Sequence, residues 1–376
     1  MAFLTHIPGT NPLPDVVPHP RRKGVGVIGL HEGRTLLLAL ATRARNAFPA
    51  AGCDLSPEKI ASSRAELPDL FYTTDYAEML RRPDVDVVAI YTPDPAHGDH
   101  IVAAFEAGKD VICTKPLVNA VGDARRVLEA GRRTGRRLLV GQSTRFFEPF
   151  RRQRAGFERG EIGRVELIDA HYIHRMDWYY RKSPWAARET DWVFLGLSHP
   201  IDLARWYAGR VRRVHAVSSL SELGRTHGLT GPDIYAVNVE AESGQVARAM
   251  GHYGCHELPS ARNCIELMLY GSAGSSLAQY HDMRYVRTAP DNTEVTEDHL
   301  YAGRHYYFNS EVHGMHYGEF ANYADAFAGS LINGTPCAPG LEEGVETFCV
   351  MEAVRRSARS ASPVEVAPLL REVGLA

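Results

Sequence analysis

Short apolar runs alternate with helical patterns through the first third of the chain. Apolar runs predict strands at residues 25–30, 50–54, 85–91, 111–113 and 138–141. Leu- and Ala-rich or capped segments between them predict helices at residues 35–45, from 56, at 101–107 and at 121–131. Buried strands that alternate with helices at this spacing indicate an α/β domain with a doubly wound parallel sheet and right-handed crossovers.

The pattern changes near residue 143, where longer alternating runs begin. They predict strands with one covered face at residues 165–172, 234–241, 245–252 and 265–270. Helical patterns follow at residues 192–207, 317–330 and 344–360. We therefore expect an N-terminal arm (1–22), a first domain (23–143) and a second, α+β domain (144–376) on an open, mainly antiparallel sheet. The last helix is a candidate to pack back on the first domain.

Composition narrows the class of protein. The net charge of −3 and the pI of about 6.6 suggest neither a nucleic acid nor a membrane as partner. No apolar run has the length of a membrane span, and the N-terminus lacks the pattern of a signal peptide. The six cysteines have irregular spacing and form no CxxC pair, which indicates reduced thiols. We therefore expect a cytoplasmic protein.

A glycine-containing segment lies where the first strand meets the first helix. Gly29 stands at the first position of a dinucleotide fingerprint, His31 and Arg34 occupy the other two glycine positions, and Gly33 comes one place early. Asp54 ends the second strand 54 − 29 = 25 residues later, where a carboxylate binds the adenosine ribose. The segment predicts a degenerate Rossmann site. No arginine follows the aspartate, so NAD is favoured over NADP; the alternative is a capping or turn aspartate.

Several further segments carry a family resemblance that covers nearly the whole chain from about residue 23. The segment 107–117 (AGKDVICTKPL) looks like a "GKHVxCEKP" motif, and 199–206 (HPIDLARW) resembles "HxIDxxRW". Residues 86–97, 140–146 and 161–163 carry further matches. Together they resemble the glucose–fructose oxidoreductase, inositol dehydrogenase and rhizopine-catabolism (Gfo/Idh/MocA) family.

The resemblance implies a catalytic lysine and histidine at Lys115 and His199. It also implies an aspartate four residues before the histidine, where this chain has Leu195, and a glutamate before the lysine, where it has Thr114. The cofactor residues expected from the fingerprint and the resemblance together are Gly29, His31, Glu32, Gly33, Asp54, Thr92, Pro93, His97, Lys115, Gln142 and Arg145.

Oxidation of an alcohol by hydride transfer also requires loss of the hydroxyl proton. A histidine can accept that proton near neutral pH, and a lysine can stabilise charge on the same oxygen. We expect His199 and Lys115 to meet in a cleft beside the nicotinamide. Asp191, two helical turns before the histidine, is a distant replacement for the missing aspartate. The structural alternatives are a core histidine and a surface lysine, and Asp202 reads as a structural helix residue.

The segment 171–181 is rich in aromatic and hydrogen-bonding side chains, which suit a polyhydroxylated ring. The alternative is a structural loop. The expected substrate residues are Lys115, Tyr172, His174, Trp178, Arg181, Trp185 and His199, and a second polar–aromatic cluster comprises Tyr306, His313, His316 and Tyr317. His171 and His174 point to opposite faces of a strand, so we expect no metal site.

These observations favour NAD-linked oxidation of a secondary hydroxyl on a sugar, sugar derivative, aminosugar or cyclitol. Two alternatives stay open: a glycosidase that uses bound NAD for transient oxidation and elimination, and a non-catalytic NAD-binding partner protein. The uncovered face of the second sheet needs a partner, since monomers rarely expose large apolar surfaces. We therefore expect a homodimer or homotetramer formed through that sheet, as in the resembling family.

Overall fold

The structure is a computed structural model that describes residues 16–258, 263–299 and 319–376. These residues form two compact units. The first contains the described residues up to Thr114, the segment Glu129–Ser143 and residues 319–341. The second contains Lys115–Leu128, the described residues of 144–301 and the segment Glu342–Ala376. The first unit therefore includes residues 319–341, which follow the predicted boundary at residue 143, and the second unit includes Lys115–Leu128, which precede it.

The strands alternate with helices in the first half of the chain, and those of the second half lie mostly between residues 211 and 298. In chain order the strands are β1 (Lys23–Ile28), β2 (Ala47–Cys53), β3 (Phe71–Thr73), β4 (Val87–Ile90), β5 (Asp110–Thr114), β6 (Leu138–Gly141), β7 (Val165–Ile173), β8 (Val211–Ser219), β9 (Ile234–Ala241), β10 (Val246–His252), β11 (Cys264–Gly271), β12 (Gly274–Gln279), β13 (Arg284–Thr288), β14 (Glu294–Asp298) and β15 (Val364–Glu365).

The helices range from single turns to five turns. They are α1 (Gly33–Arg43), α2 (Pro57–Glu66), α3 (Tyr76–Leu80), α4 (His97–Glu106), α5 (Val121–Thr134), α6 (Glu148–Glu158), α7 (Asp177–Lys182), α8 (Trp185–Arg188), α9 (Trp192–Leu195), α10 (Ser198–Ala208), α11 (Glu222–Thr226), α12 (Glu319–Asn333), α13 (Leu341–Ser360) and α14 (Ala367–Glu372). None of the helices in the described ranges combines the length and apolar character that a membrane crossing requires.

The first unit is built on a parallel sheet. Within the described residues its strand order is β3-β2-β1-β4-β5-β6, and every neighbouring pair is parallel. This is the order of a doubly wound nucleotide-binding sheet, so the predicted fold class is confirmed. Local signals set the helix ends: Ser56 accepts a hydrogen bond from the Lys59 N–H at the start of α2, as predicted, and Gly108 (φ +74°) ends α4.

Helix α12 packs in the first unit, although the sequence places it in the second domain. It contacts α1, β2 and β6. Phe320, Tyr323 and Phe327 are buried in this packing, and Asp325 accepts hydrogen bonds from the backbone and side-chain N–H groups of Asn46. The apolar face of α12 thus covers one side of the first sheet. The predicted last helix, residues 344–360, corresponds to α13, which lies in the second unit from Glu342 onward; its packing on the first domain stays a prediction.

The second unit is built on a larger sheet. Among the described residues nine strands lie in the order β14-β13-β12-β11-β7-β10-β9-β8-β15. Every neighbouring pair is antiparallel except β7 with β10, which confirms a mainly antiparallel sheet. Helices α6 and α10 contact one face. Leu167 and Val246, which pair in register, and Val217 remain exposed on the strands.

Candidate active site

Two positions in the turn between β1 and α1 have room only for glycine. Gly29 has φ +92°, and a Cβ there would lie 2.5 Å from the carbonyl oxygen of Tyr91. Gly33 begins α1, and a Cβ there would lie 2.5 Å from Cγ1 of Val27. The turn leads directly into the N-terminus of α1, and the positive end of a helix dipole favours a negatively charged group. These residues fit the pyrophosphate of a dinucleotide, which the sequence predicts here.

Asp54 is oriented toward the same turn. Its Oδ2 accepts the N–H of Leu30 (2.8 Å), its Oδ1 accepts the N–H of Ser56 (2.9 Å), and Lys59 Nζ lies 3.8 Å from Oδ2. Ser56 caps α2, but the bond from the Ser56 N–H to Asp54 is that of a turn aspartate, so the turn alternative for Asp54 is borne out beside its predicted ribose contact, which stays a prediction. A carboxylate has about four acceptor positions, so Asp54 retains the capacity to bind ribose hydroxyls.

Thr92 follows β4 and is held by two histidines. Its carbonyl oxygen accepts a hydrogen bond from Nε2 of His97 (2.9 Å), which places the proton of a neutral His97 on that nitrogen. Its hydroxyl pairs with Nδ1 of His100 (3.1 Å). Burial, with a contribution from His97, lowers the pKa of His100. Thr92, Pro93 and His97 are predicted from the sequence as cofactor residues. His100, which lies one helical turn further along α4, is not.

The other predicted cofactor residues differ in exposure. His31 is exposed, and Glu32 precedes α1 without a side-chain hydrogen bond to cap it. Gln142 is buried directly after β6. These placements leave their predicted cofactor contacts as predictions.

Lys115 lies directly after β5 and belongs to the second unit. Its ammonium group donates a hydrogen bond to the main-chain carbonyl oxygen of Leu195 (2.7 Å). Leu195 ends α9 and stands four residues before His199, at the position where the family resemblance implies an aspartate. The lysine is therefore fixed to the segment that leads into the predicted catalytic histidine.

The predicted helix over residues 192–207 is two helices. Asp191 caps α9 by accepting the N–H of Val193 (3.0 Å), and it also accepts the hydroxyl of Tyr235 (3.0 Å). The helix ends at Gly196, where a Cβ would lie 2.2 Å from the Tyr253 ring. His199 lies on the separate helix α10, so Asp191 is not on its helical face. Asp191 therefore does not replace the missing aspartate, which corrects the proposal from sequence.

His199 is 5% exposed and begins a series of aromatic contacts that runs through Tyr172. The Tyr172 ring meets it edge-on at 5.4 Å between centroids, and Tyr253 meets Tyr172 at the same distance. Trp192 stacks on Tyr253 at 4.6 Å. Burial raises the pKa of Tyr253 well above its ordinary value, so this phenol is neutral. The sequence predicts His199 and Tyr172 but not Tyr253 or Trp192, which come from other segments.

A second aromatic series follows β7. The indole N–H of Trp178 donates to Nε2 of His174 (3.0 Å), and Tyr179 makes edge contacts with Trp178 and Trp185. Their rings are only partly buried. Arg181 instead lies exposed in an ion pair with Asp177 on the same helix. The structure thus brings the predicted residues His174, Trp178 and Trp185 into one group. The Arg181 side chain instead forms its ion pair at the exposed surface.

Arg145 is committed to a buried ionic network of the second unit. Its side chain is 3% exposed, and two of its nitrogens donate to Asp202 at 2.7 and 2.8 Å. A third nitrogen donates to Glu343 (3.2 Å), and the Trp206 ring lies 5.1 Å away. Asp202 thus has the structural role that the sequence favours. Arg145 has a structural role in this network as well, and its predicted contact with the cofactor stays a prediction.

Tyr306, His313, His316 and Tyr317 lie outside the described residues. The described residues contain no group of His, Cys, Asp and Glu side chains arranged to hold a metal ion. His171 pairs with Asp169 (2.8 Å) on the opposite face of β7 from Tyr172.

Family comparison agrees with this division into two parts. Residues 23–142 match the model of an oxidoreductase family with an NAD-binding Rossmann fold, and residues 155–366 match the model of its C-terminal α/β domain. Fold and turn geometry therefore define a protein with an NAD-binding domain and a second domain on an open sheet. The chain belongs to the Gfo/Idh/MocA family.

Curated relatives are matched over part of their length. The chain is 32% identical over 214 residues to inositol 2-dehydrogenase of Acidothermus cellulolyticus, covering 56% of this chain and 58% of the relative. It is 30% identical over 244 residues to 1-carboxy-3-chloro-3,4-dihydroxycyclo hexa-1,5-diene dehydrogenase of Comamonas testosteroni, covering 62% and 60%. The chain thus spans about three fifths of the length of these relatives.

Solved structures resemble nearly the whole chain. Levoglucosan dehydrogenase in complex with NADH has a TM-score of 0.79 at 22% identity, covering 92% of this chain and 99% of that one. The scyllo-inositol dehydrogenase of Lactobacillus casei, with bound NAD(H) and scyllo-inositol, has a TM-score of 0.73 at 19% identity and the same coverage. At these identities the likeness concerns the fold.

Proposed function

We propose that this protein is an NAD-dependent oxidoreductase that acts on a secondary hydroxyl of a sugar, sugar derivative, aminosugar or cyclitol. The observation that carries the proposal is the hydrogen bond from Lys115 Nζ to the Leu195 carbonyl oxygen (2.7 Å), four residues before His199. Membership of an NAD-binding oxidoreductase family supports the cofactor. Relatives named for inositol and levoglucosan support the substrate class.

In the proposed reaction, His199 accepts the proton of the substrate hydroxyl. The carbon that bears this hydroxyl loses a hydride, for which bound NAD is the acceptor, and the alcohol group becomes a carbonyl. Lys115 donates a hydrogen bond to the reacting oxygen and stabilises the negative charge that develops there. Protein groups that remove a proton and stabilise the oxygen each contribute to lowering the barrier.

The aromatic residues around His199 supply the remaining requirements of a polyol site. The buried Tyr172 ring meets the imidazole edge-on and excludes water from that side, and Tyr253 packs against Tyr172. Partly buried Trp178 and Trp185 offer apolar faces, and His174 offers a polar edge. Such a mixture suits the C–H and O–H groups of a sugar or cyclitol ring.

We further propose that the protein forms a homodimer or homotetramer through the second sheet. Leu167 and Val246 lie side by side on its exposed face and are 40% and 51% exposed. A sheet face that carries several exposed apolar side chains is normally covered by a partner.

A panel of inositols, sugars and glycosides, incubated with NAD and assayed for NADH, tests the proposed function. We expect NADH to accumulate in proportion to oxidised substrate. Release of an aglycone without net NADH would instead indicate the glycosidase alternative. NAD binding without turnover of any class in the panel would contradict an enzymatic role and favour a partner protein.

A further inference from the structure

Tyr91 packs directly against the β1–α1 turn, where the sequence and the fold predict that the cofactor binds. A Cβ on Gly29 would meet its carbonyl oxygen at 2.5 Å and the N–H nitrogen of Thr92 at 3.0 Å. A Cβ on Gly33 would lie 3.2 Å from both Cβ and Cγ of Tyr91. Backbone and ring of one residue therefore support both glycines of the turn, and displacement of Tyr91 would displace the turn.

Helix α12 holds the Tyr91 side chain, although it lies far along the chain. The hydroxyl of Tyr91 is hydrogen-bonded to that of Tyr323, 232 residues away. Phe320 meets the Tyr91 ring edge-on at 5.2 Å. Tyr323 is fully buried in the first unit, against Gly141 at the end of β6. The position of Tyr91 thus depends on α12 as well as on its own strand.

The surroundings keep both phenols protonated. Burial raises the pKa of Tyr91 and of Tyr323 well above the ordinary value, and the carboxylates of Glu319 and Glu32 raise both further. With both phenols neutral, one hydroxyl donates to the other. Loss of either hydroxyl would leave its partner buried without this bond, which costs more than loss of both.

We propose that Tyr91 and Tyr323 are positioning residues that set the affinity for NAD by holding the β1–α1 turn through α12. The inference rests on the proposed use of NAD at this turn. Neither residue is assigned a role in proton or hydride transfer. Their effect should therefore appear in cofactor binding and not in turnover at saturating NAD.

The test compares Tyr91→Phe, Tyr323→Phe and the double variant in the full-length protein. The dissociation constant for NADH is measured by fluorescence titration. We expect each single variant to bind NADH about 3- to 10-fold more weakly. The double variant should bind more tightly than the product of the two single effects implies, because its two phenyl groups leave no buried hydroxyl. The kcat at saturating NAD should stay within about twofold of wild type.

Tyr72→Phe is the matched control, because its buried hydroxyl bonds to the backbone of Ser63 in the same unit and not to this pair. A purely structural pair would lower the melting temperature and leave NADH affinity unchanged in both single variants; this result overturns the inference. Additive effects in the double variant would also overturn it. If the wild type itself fails to bind NADH, the proposed function fails, and this inference fails with it.

Discussion

Lys115 is held by a main-chain carbonyl where the family resemblance implies a carboxylate nearby. The Leu195 oxygen accepts a charge-assisted hydrogen bond but carries no full negative charge. This bond by itself therefore leaves the positive charge of the lysine in place. The Tyr253 ring leaves no room for a side chain at Gly196, where α9 ends. This end of the helix sets the direction of the Leu195 carbonyl group.

Leu195→Asp tests whether the ammonium group reaches this position. We expect the variant to fold, because the Lys115 ammonium group is already bonded to the main-chain oxygen of this residue. At pH 7 it should be more stable than the matched Leu195→Asn by about 1 kcal/mol, since a hydrogen bond to a charged group is the stronger one. Thermal unfolding followed by circular dichroism measures the difference. An aspartate variant that is less stable than the asparagine variant at pH 7 would contradict this placement of Lys115.

At this scale the sequence predicts some site residues and cannot predict others. Lys115 and His199 stand in recognisable local motifs. Tyr253 and Tyr323 reach their partners only through tertiary contacts with distant segments. Arg145 has a motif position, but its burial with Asp202 depends on the fold of the second unit. A single sequence carries no signal for such pairings.

The β1–α1 turn is the element that decides cofactor binding. Gly29→Ala combines an unfavourable φ of +92° with a Cβ only 2.5 Å from the Tyr91 carbonyl oxygen, so the turn must move. We expect NADH affinity to fall at least about 10-fold, as measured by titration.

Gly108→Ala distinguishes the effect of backbone strain from that of a steric clash at the added Cβ. Gly108 also has a positive φ (+74°), but nothing lies within 4 Å of a Cβ there. We expect this control to lose stability and keep its NADH affinity. Equal NADH affinity of the Gly29 variant and wild type would show that this turn does not hold the cofactor.

Elements with strong periodicity are predicted well, and short or split elements are not. Strand β6 and strand β9 match their predicted bounds. The three-residue β3 is too short for a pattern. The split between α9 and α10 arises from the close approach of Tyr253 to Gly196, which a helical pattern cannot show. The parallel pairing of β7 with β10 and the packing of α12 are likewise long-range choices.

At the scale of the whole molecule, the exposed face of the second sheet combines apolar and charged side chains. Asp169 lies there between His171 and Arg248. Burial alone would raise the pKa of Asp169, but hydrogen bonds from these two residues lower it from 3.8 to about 2. Its ionised form is therefore preferred in the folded protein.

Asp169→Asn should destabilise the protein by about 1 kcal/mol at pH 7, because the Arg248 side chain is 55% exposed and solvent screens its charge. The folded pKa lies below the unfolded value, so the contribution is complete above about pH 4 and is lost as the pH falls toward 2. Urea unfolding of both proteins across this range measures the effect. A stability difference that does not shrink between pH 4 and pH 2 would refute the assignment.

The proposed oligomer makes a separate prediction. Leu167→Lys combined with Val246→Lys places two charges side by side on the exposed sheet face. We expect light scattering after size exclusion to show a shift from dimer or tetramer toward monomer. Val17→Lys, at a position that is 77% exposed and outside the sheet, should leave the mass unchanged. A wild-type monomer, or an unchanged mass in the double variant, would exclude this interface.

The most direct test of the proposed function is the rate of NADH formation in a single turnover with the best substrate of the panel. Lys115→Met should reduce this rate by at least about 100-fold, and His199→Asn should do the same, with NADH affinity unchanged in the His199 variant. Lys23→Met, which removes only a surface ion pair with Asp86, should match the wild type. Rates within about twofold of wild type for both the Lys115 and the His199 variants would contradict the account.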